Sequence, residues 1–196
     1  MNRPDKATIP SLDMVDRKSC VPSANSPGQV VILMGVSGCG KTTIGKQLAA
    51  RLGWSFEDGD DYHPSVNRAK IRGGEPLTDE DRKEWLSSLA TLITGYLRQG
   101  RSCILACSAL KQVYRDQLTI DPHRVRFVYL KGSKELILPR LQARRGHMMK
   151  ADLLDSQFAI LEEPSRALIV DIGQTPSQVI DFILLALKTG NPRGNP

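Results

Sequence analysis

The sequence predicts an α/β domain with a five-stranded parallel sheet and helices on both faces. The first reason is an apolar run, Val30-Val31-Ile32-Leu33-Met34, that leads directly into Gly35-Val36-Ser37-Gly38-Cys39-Gly40-Lys41-Thr42. That string fits G-x-x-x-x-G-K-[ST], a loop between a strand and a helix. The second is that four more short apolar runs alternate with stretches of helical period, the pattern of β-α-β units with right-handed crossovers. The third is size: 196 residues, 40% hydrophobic and 24% charged, suffice for one packed domain and are short for two.

Residues 1–28 hold four prolines, several serines and mixed charges with no apolar period. They predict a disordered extension ahead of a single domain over 29–190 and a flexible tail at 191–196. Strand one is expected at 29–34, and the helix after the loop runs to Arg51, with Gly53 as its stop. A second strand, 54–57, ends at Asp58-Gly59-Asp60-Asp61-Tyr62-His63-Pro64. Carboxyl ends of parallel strands line the ligand crevice, so these acids are expected to face it.

A helix over 65–72 leads to a glycine-rich turn at 73–76, after which Thr78 caps a long helix with Asp79, Glu80 and Asp81 in its first turn. Trp85, Leu86, Leu89, Leu92, Ile93, Tyr96 and Leu97 recur at helical spacing and predict its core face. Residues 102–107 read as a buried strand with Ser108-Ala109-Leu110-Lys111 as its exit loop, then a helix over 112–118 and a strand over 125–130. Ser133 opens a helix carrying Arg140, Arg144 and Arg145, which Pro139 is expected to kink. A helix at 151–161, a strand at 168–172 and a last helix from Thr175-Pro176 to Lys188 complete the chain.

The loop carries the first chemistry. A polyphosphate needs donors on several sides with no side chain in the way, and Gly35, Gly38 and Gly40 leave that room. Lys41 reaches the outer phosphates, Thr42 offers a hydroxyl to Mg2+, and the helix start aims free N–H groups at the anion. Gly35, Val36, Ser37, Gly38, Cys39, Gly40, Lys41, Thr42 and Thr43 therefore form the expected nucleotide-phosphate site, with a triphosphate as ligand.

Net charge is +6 and the isoelectric point about 9.3, but the basic residues are dispersed among acids, which argues against a nucleic-acid tract. A site for anionic substrates accounts for the excess. Cys20, Cys39, Cys103 and Cys107 form no C-x-x-C pair, so reduced thiols are expected. The apolar run at 179–187 is interrupted by Asp181 and is too short to span a membrane. The N-terminus has no apolar signal core, which predicts a soluble, cytoplasmic protein without a membrane or nucleic-acid partner. A regulatory GTPase would need N-K-x-D, which the sequence lacks.

Beyond the loop, the motifs resemble the gluconate kinases, within the shikimate kinase and nucleoside monophosphate kinase class of P-loop folds. The matching pieces are GVSGCGKT, DGDDYHP, Asn67 with Lys70, Gly74, Pro76 and Leu77, then Asp79, Asp81-Arg82 and Trp85. CSALK with Tyr114-Arg115-Asp116, YLKG from Tyr129, ARRGH from Ala143 and Gln157-Phe158 extend the match. The resemblance implies a three-layer P-loop kinase fold with a mobile lid over about 141–153. It implies transfer of the ATP γ-phosphoryl group to the terminal hydroxyl of D-gluconate, with Mg2+, in a homodimer. Shikimate and nucleoside monophosphates are the alternative acceptors, and a non-catalytic nucleotide-binding regulator is the alternative of another class. Residues 1–28 have no match in the family, and 162–168 looks shorter than usual.

Asp58 and Asp60, two positions apart in an extended segment, point the same way. By the resemblance Asp58 orients the metal's waters and Asp60 accepts the hydroxyl proton, although these two roles are interchangeable on sequence alone. Arg140 and Arg144, at i and i+4, share a helical face and can reach phosphoryl oxygens. His63 either contacts substrate or caps the turn before Pro64, and Lys111 and Arg115 are placed to pair the gluconate carboxylate. Deleting residues 1–28 is expected to leave the melting temperature and turnover nearly unchanged, measured by calorimetry and ADP release, because the segment has little apolar surface to bury.

Overall fold

A computed structural model describes residues 27–143 and 151–189. Five parallel strands form one sheet: β1 Val30–Met34, β2 Ser55–Asp58, β3 Cys103–Ala106, β4 Val125–Lys131 and β5 Leu168–Asp171. Their order across the sheet is β2-β3-β1-β4-β5. Ile32 in the central strand faces Leu105 of β3 on one side and Phe127 of β4 on the other. The chain leaves β1 toward one edge and leaves β4 toward the opposite edge. Their carboxyl ends therefore part, which opens a crevice where a ligand can sit between loops.

The helices are α1 Lys41–Leu52, α2 Ser65–Gly73, α3 Asp79–Arg98, α4 Gln112–Leu118, α5 Lys134–Gln142, α6 Ala151–Ile160 and α7 Pro176–Thr189. Because side chains alternate along a strand, β1 feeds two cores. Val31 and Leu33 pack with Leu48 of α1, Ile137 of α5, Leu154 of α6 and Ile183 of α7. Val30, Ile32 and Met34 pack with Leu89 and Ile93 of α3 and with Leu118 of α4. All five β1 residues are buried, so the strand that precedes the phosphate loop is its most rigid support.

α3 starts as its sequence predicts. Thr78 Oγ1 accepts the Asp81 N–H while the Asp81 carboxylate accepts the Thr78 N–H, a reciprocal capping box. Two expectations need correction. Asp60 is not in an extended segment: residues Gly59–Tyr62 form a one-turn 3-10 helix, with Asp58 accepting the Asp60 N–H at 3.3 Å. Gly28 belongs to the packed domain, because a Cβ there would lie 2.4 Å from the Arg101 carbonyl oxygen. α5 runs through Pro139 to Gln142 and carries Arg140 in its last turn, while Arg144, expected on the same helical face, lies outside the described residues. Arg144, Arg145, His147, the middle of the expected lid, the extension up to residue 26 and the tail lie outside the described residues.

α5 packs directly on the phosphate loop. Gly38 has φ +82°, and a Cβ there would meet Leu141 Cγ at 2.6 Å and Ile137 Cγ2 at 3.0 Å. Gly38→Ala combines left-handed strain with overpacking and is expected to cost about 1–3 kcal/mol. Its denaturation midpoint should fall, and calorimetry should show weaker ATP binding.

Candidate active site

The phosphate loop turns between β1 and α1 on three glycines with positive φ, Gly35 at 137°, Gly38 at 82° and Gly40 at 101°. A side chain at these positions is strained, and Gly40 as N-cap leaves the first N–H groups of α1 facing outward. Val36 and Cys39 are buried and anchor the loop in the core, while Thr43 is exposed on the first turn of α1. Lys41 Nζ folds back onto the carbonyl oxygens of Gly35 and Val36, at 3.0 and 3.1 Å. Those carbonyls hold the ammonium where an incoming phosphate, a stronger acceptor, can replace them.

Thr42 Oγ1 donates to Asp58 Oδ2 at 2.9 Å, joining the end of β2 to the start of α1. Both are hard oxygen donors, the kind that hold Mg2+ beside phosphate oxygens and water. Among the described residues no cluster of three or more His, Cys, Asp or Glu forms a ready-made metal cage.

Asp60 follows one residue after the buried Gly59. Its surface opens into the pocket, but the protein atoms around the carboxyl withhold solvent and raise its pKa, an effect that nearby Lys41 opposes and Asp58 and Asp61 reinforce. The acid turn is fixed by Trp85, whose Nε1–H donates to the Gly59 carbonyl at 2.7 Å. The same indole stacks on His63, with ring centroids 4.3 Å apart and planes 14° from parallel. Burial, with Arg82 and Arg68 nearby, lowers the His63 pKa to about 4, so the imidazole is neutral. Its Nδ1 is buried and has no partner among the described residues.

Lys41, Asp60, His63 and Trp85 line one pocket of about 330 Å³, while Thr42 and Asp58 lie outside its lining. Ser37, Lys41, Asp60, His63 and Lys111 all face it, together with Asp79, Arg82 and Gln157, which the sequence reading left without roles. Lys111 Nζ reaches both Asp79 carboxylate oxygens, at 2.8 and 2.7 Å, and the Tyr114 hydroxyl donates to the same carboxylate. Arg82 Nη1 donates to the Leu77 carbonyl at 2.6 Å and lies 3.8 Å from Asp79. The acid-rich first turn of α3 signalled a capped helix, and its role as a pocket wall appears only once α3 is packed. Arg140 is exposed on α5 and donates to the Ile172 carbonyl beyond the carboxyl end of β5.

Arg115 is not brought to this pocket. It is 3% exposed, and Nη1 donates to the carbonyls of Ala109 and Leu110 while Nε and Nη2 share Gln112 Oε1. Its guanidinium holds the exit loop of β3, where Ala109 has φ 43°. Arg115 instead borders a larger cavity, about 800 Å³, that includes Val125 and Leu168 at the amino ends of β4 and β5. That cavity contains neither the phosphate loop nor the acid turn, so the smaller pocket is where the chemistry can occur.

The family model for shikimate kinase matches residues 37–187. A probable gluconokinase from Rattus norvegicus is 47% identical over 184 residues, covering 83% of this chain and 99% of that protein. Among solved structures, a sugar kinase from Janibacter sp. HTCC2649 is 44% identical with a TM-score of 0.77, covering 83% of this chain and 95% of that one. A gluconokinase from Sinorhizobium meliloti 1021 is 37% identical with a TM-score of 0.75, covering 84% and 93%.

Trp85→Phe keeps an aromatic ring but removes the hydrogen bond to the Gly59 carbonyl, at about 0.5–1.5 kcal/mol. Its kcat should fall along with its denaturation midpoint, because the acid turn loses its tether. Leu89→Ala, on the same helix but away from the turn, should lower stability by about 2–5 kcal/mol and leave the kcat of folded protein unchanged.

Proposed function

This chain belongs to the gluconokinases, within the shikimate kinase family, and from that membership and the pocket geometry we propose that it phosphorylates D-gluconate with ATP. The products are 6-phospho-D-gluconate and ADP. The observation that carries the reading is a partly desolvated carboxylate, Asp60, in one pocket with the phosphate-loop lysine, Lys41.

The terminal hydroxyl oxygen of gluconate bonds to the γ-phosphorus as the bond from that phosphorus to the β–γ bridging oxygen breaks. ADP carries away the electron pair, and Asp60 takes the hydroxyl proton. A raised pKa makes Asp60 a better proton acceptor than an ordinary aspartate. Lys41 exchanges the Gly35 and Val36 carbonyls for β- and γ-phosphate oxygens, and Arg140 and Arg144 neutralise charge on the transferring group. Thr42 and Asp58 fit Mg2+, which supplies charge neutralisation and alignment of the phosphates.

On the acceptor side, the neutral imidazole of His63 lines the pocket. Lys111 and Arg82 supply positive charge for the gluconate carboxylate, in place of the internally bonded Arg115. This reading includes a homodimer and a cytoplasmic location. The second is supported by Cys39, Cys103 and Cys107, which are buried free thiols. No helix among the described residues is long and apolar enough to cross a membrane.

An ADP-release assay over sugar acids, shikimate and nucleoside monophosphates should give the highest kcat/KM for D-gluconate; a better alternative acceptor overturns the substrate assignment. Asp60→Asn should lower kcat by about 10²–10⁴-fold with a smaller change in the KM for ATP. In the parent enzyme kcat/KM should rise with pH as Asp60 ionises, through a pKa above the ordinary 3.8. That limb should be missing from the residual activity of the variant.

A further inference from the structure

Gln157 of α6 grips the phosphate loop with both ends of its amide. Oε1 accepts the Ser37 N–H at 2.7 Å, and Nε2 donates to Ser37 Oγ at 3.1 Å. A backbone N–H can only donate, so the amide oxygen must face it and the amide nitrogen must face the hydroxyl. Ser37 Oγ is thereby an acceptor in this pair, and its own proton remains to be donated elsewhere. Ser37, Gln157, Lys41 and Asp60 line the same pocket.

We propose that Gln157 is a positioning residue for phosphoryl transfer, holding Ser37 so that its hydroxyl proton is presented to the transferring phosphoryl group. The inference rests on the kinase reading above. The loop tip is held from two sides: Gln157 of α6 fixes Ser37, while Leu141 and Ile137 of α5 close on Gly38. Lys134 and Asp155, 2.5 Å apart, tie α5 to α6. A donor fixed beforehand toward developing negative charge needs no reorganisation during the reaction, which is where such a contact raises the rate. Because the Ser37 N–H is already engaged by Gln157, the hydroxyl is the donor that Ser37 has left for a phosphate.

Two substitutions separate the halves of the contact. Gln157→Met keeps the length and removes both hydrogen bonds. Gln157→Glu keeps an acceptor for the Ser37 N–H but makes the hydroxyl donate to the new carboxylate, turning its proton from the pocket. Gln157→Met should lower kcat on the order of tenfold, less than removal of a direct donor, and Gln157→Glu should lower it at least as far. Binding of a non-hydrolysable ATP analogue to Gln157→Met, measured by calorimetry, should stay within about threefold of the parent, since the contact acts in the transition state. The kcat values are scaled to the folded fraction, titrated with the same analogue.

A double-mutant cycle provides the decisive arm. In a Ser37→Ala background Gln157→Met should change kcat by less than about threefold, because the hydroxyl it positions is already gone. Full, additive losses in the double variant overturn the proposal, as does an unchanged kcat in both Gln157 variants. So does weaker analogue binding that accounts for the whole effect. The acceptor is whichever compound the parent protein phosphorylates, so failure with D-gluconate counts against the substrate assignment and not against Gln157.

Discussion

The hydrogen bond from the Trp85 indole to the Gly59 carbonyl joins the two halves of the catalytic pocket. Trp85 is buried at 1% exposure on α3, and Gly59 sits between Asp58 and Asp60 at the end of β2. A Cβ on Gly59 would lie 2.7 Å from the Ala106 carbonyl oxygen, so the turn is pressed against β3 on one side and tethered to α3 on the other. His63 rests on the same indole. One core side chain thus sets where the acids stand, where the imidazole stands and, through α3, where Asp79 and Arg82 enter the pocket.

The pocket's cations already have partners within the protein. Lys41 is held by loop carbonyls, Lys111 by Asp79 and Arg82 by Leu77; Arg140, outside the pocket, is held by the Ile172 carbonyl. Each partner keeps a flexible charge in place, and the carbonyls are neutral acceptors that phosphate or carboxylate oxygens outcompete. Lys111 is the exception, since Asp79 offers it a full negative charge. Lys111, then Tyr114 and Arg82, lower the Asp79 pKa, so this side of the pocket sets two cations against one carboxylate.

The phosphate loop is rigid for reasons that lie partly outside its own motif. The glycines permit its shape, and Leu141, Ile137 and Gln157 hold it in that shape. The loop tip is thus held by two helices that follow one another in the chain, α5 and α6.

The strand before the loop, the loop itself, the Thr78 cap and the core face of α3 were all legible in the sequence, because each depends on neighbours within a few positions. Positive φ at Gly38, an oxygen side chain three residues ahead of Asp81, and an apolar repeat are local facts that leave local signatures. The conformation of Asp60 was not legible, since whether DGDD extends or coils depends on Trp85, 26 positions from Gly59. Arg115 and Arg82 look alike as carboxylate partners in the sequence. Only the fold buries Arg115 against the Ala109 and Leu110 carbonyls and turns Arg82 to the pocket. The strand order and the Gln157 contact with Ser37, which spans 120 positions, are likewise products of packing. Backbone geometry and side-chain period act within a turn or two of the chain, whereas which polar groups meet is decided when distant segments compete for the same few buried donors and acceptors.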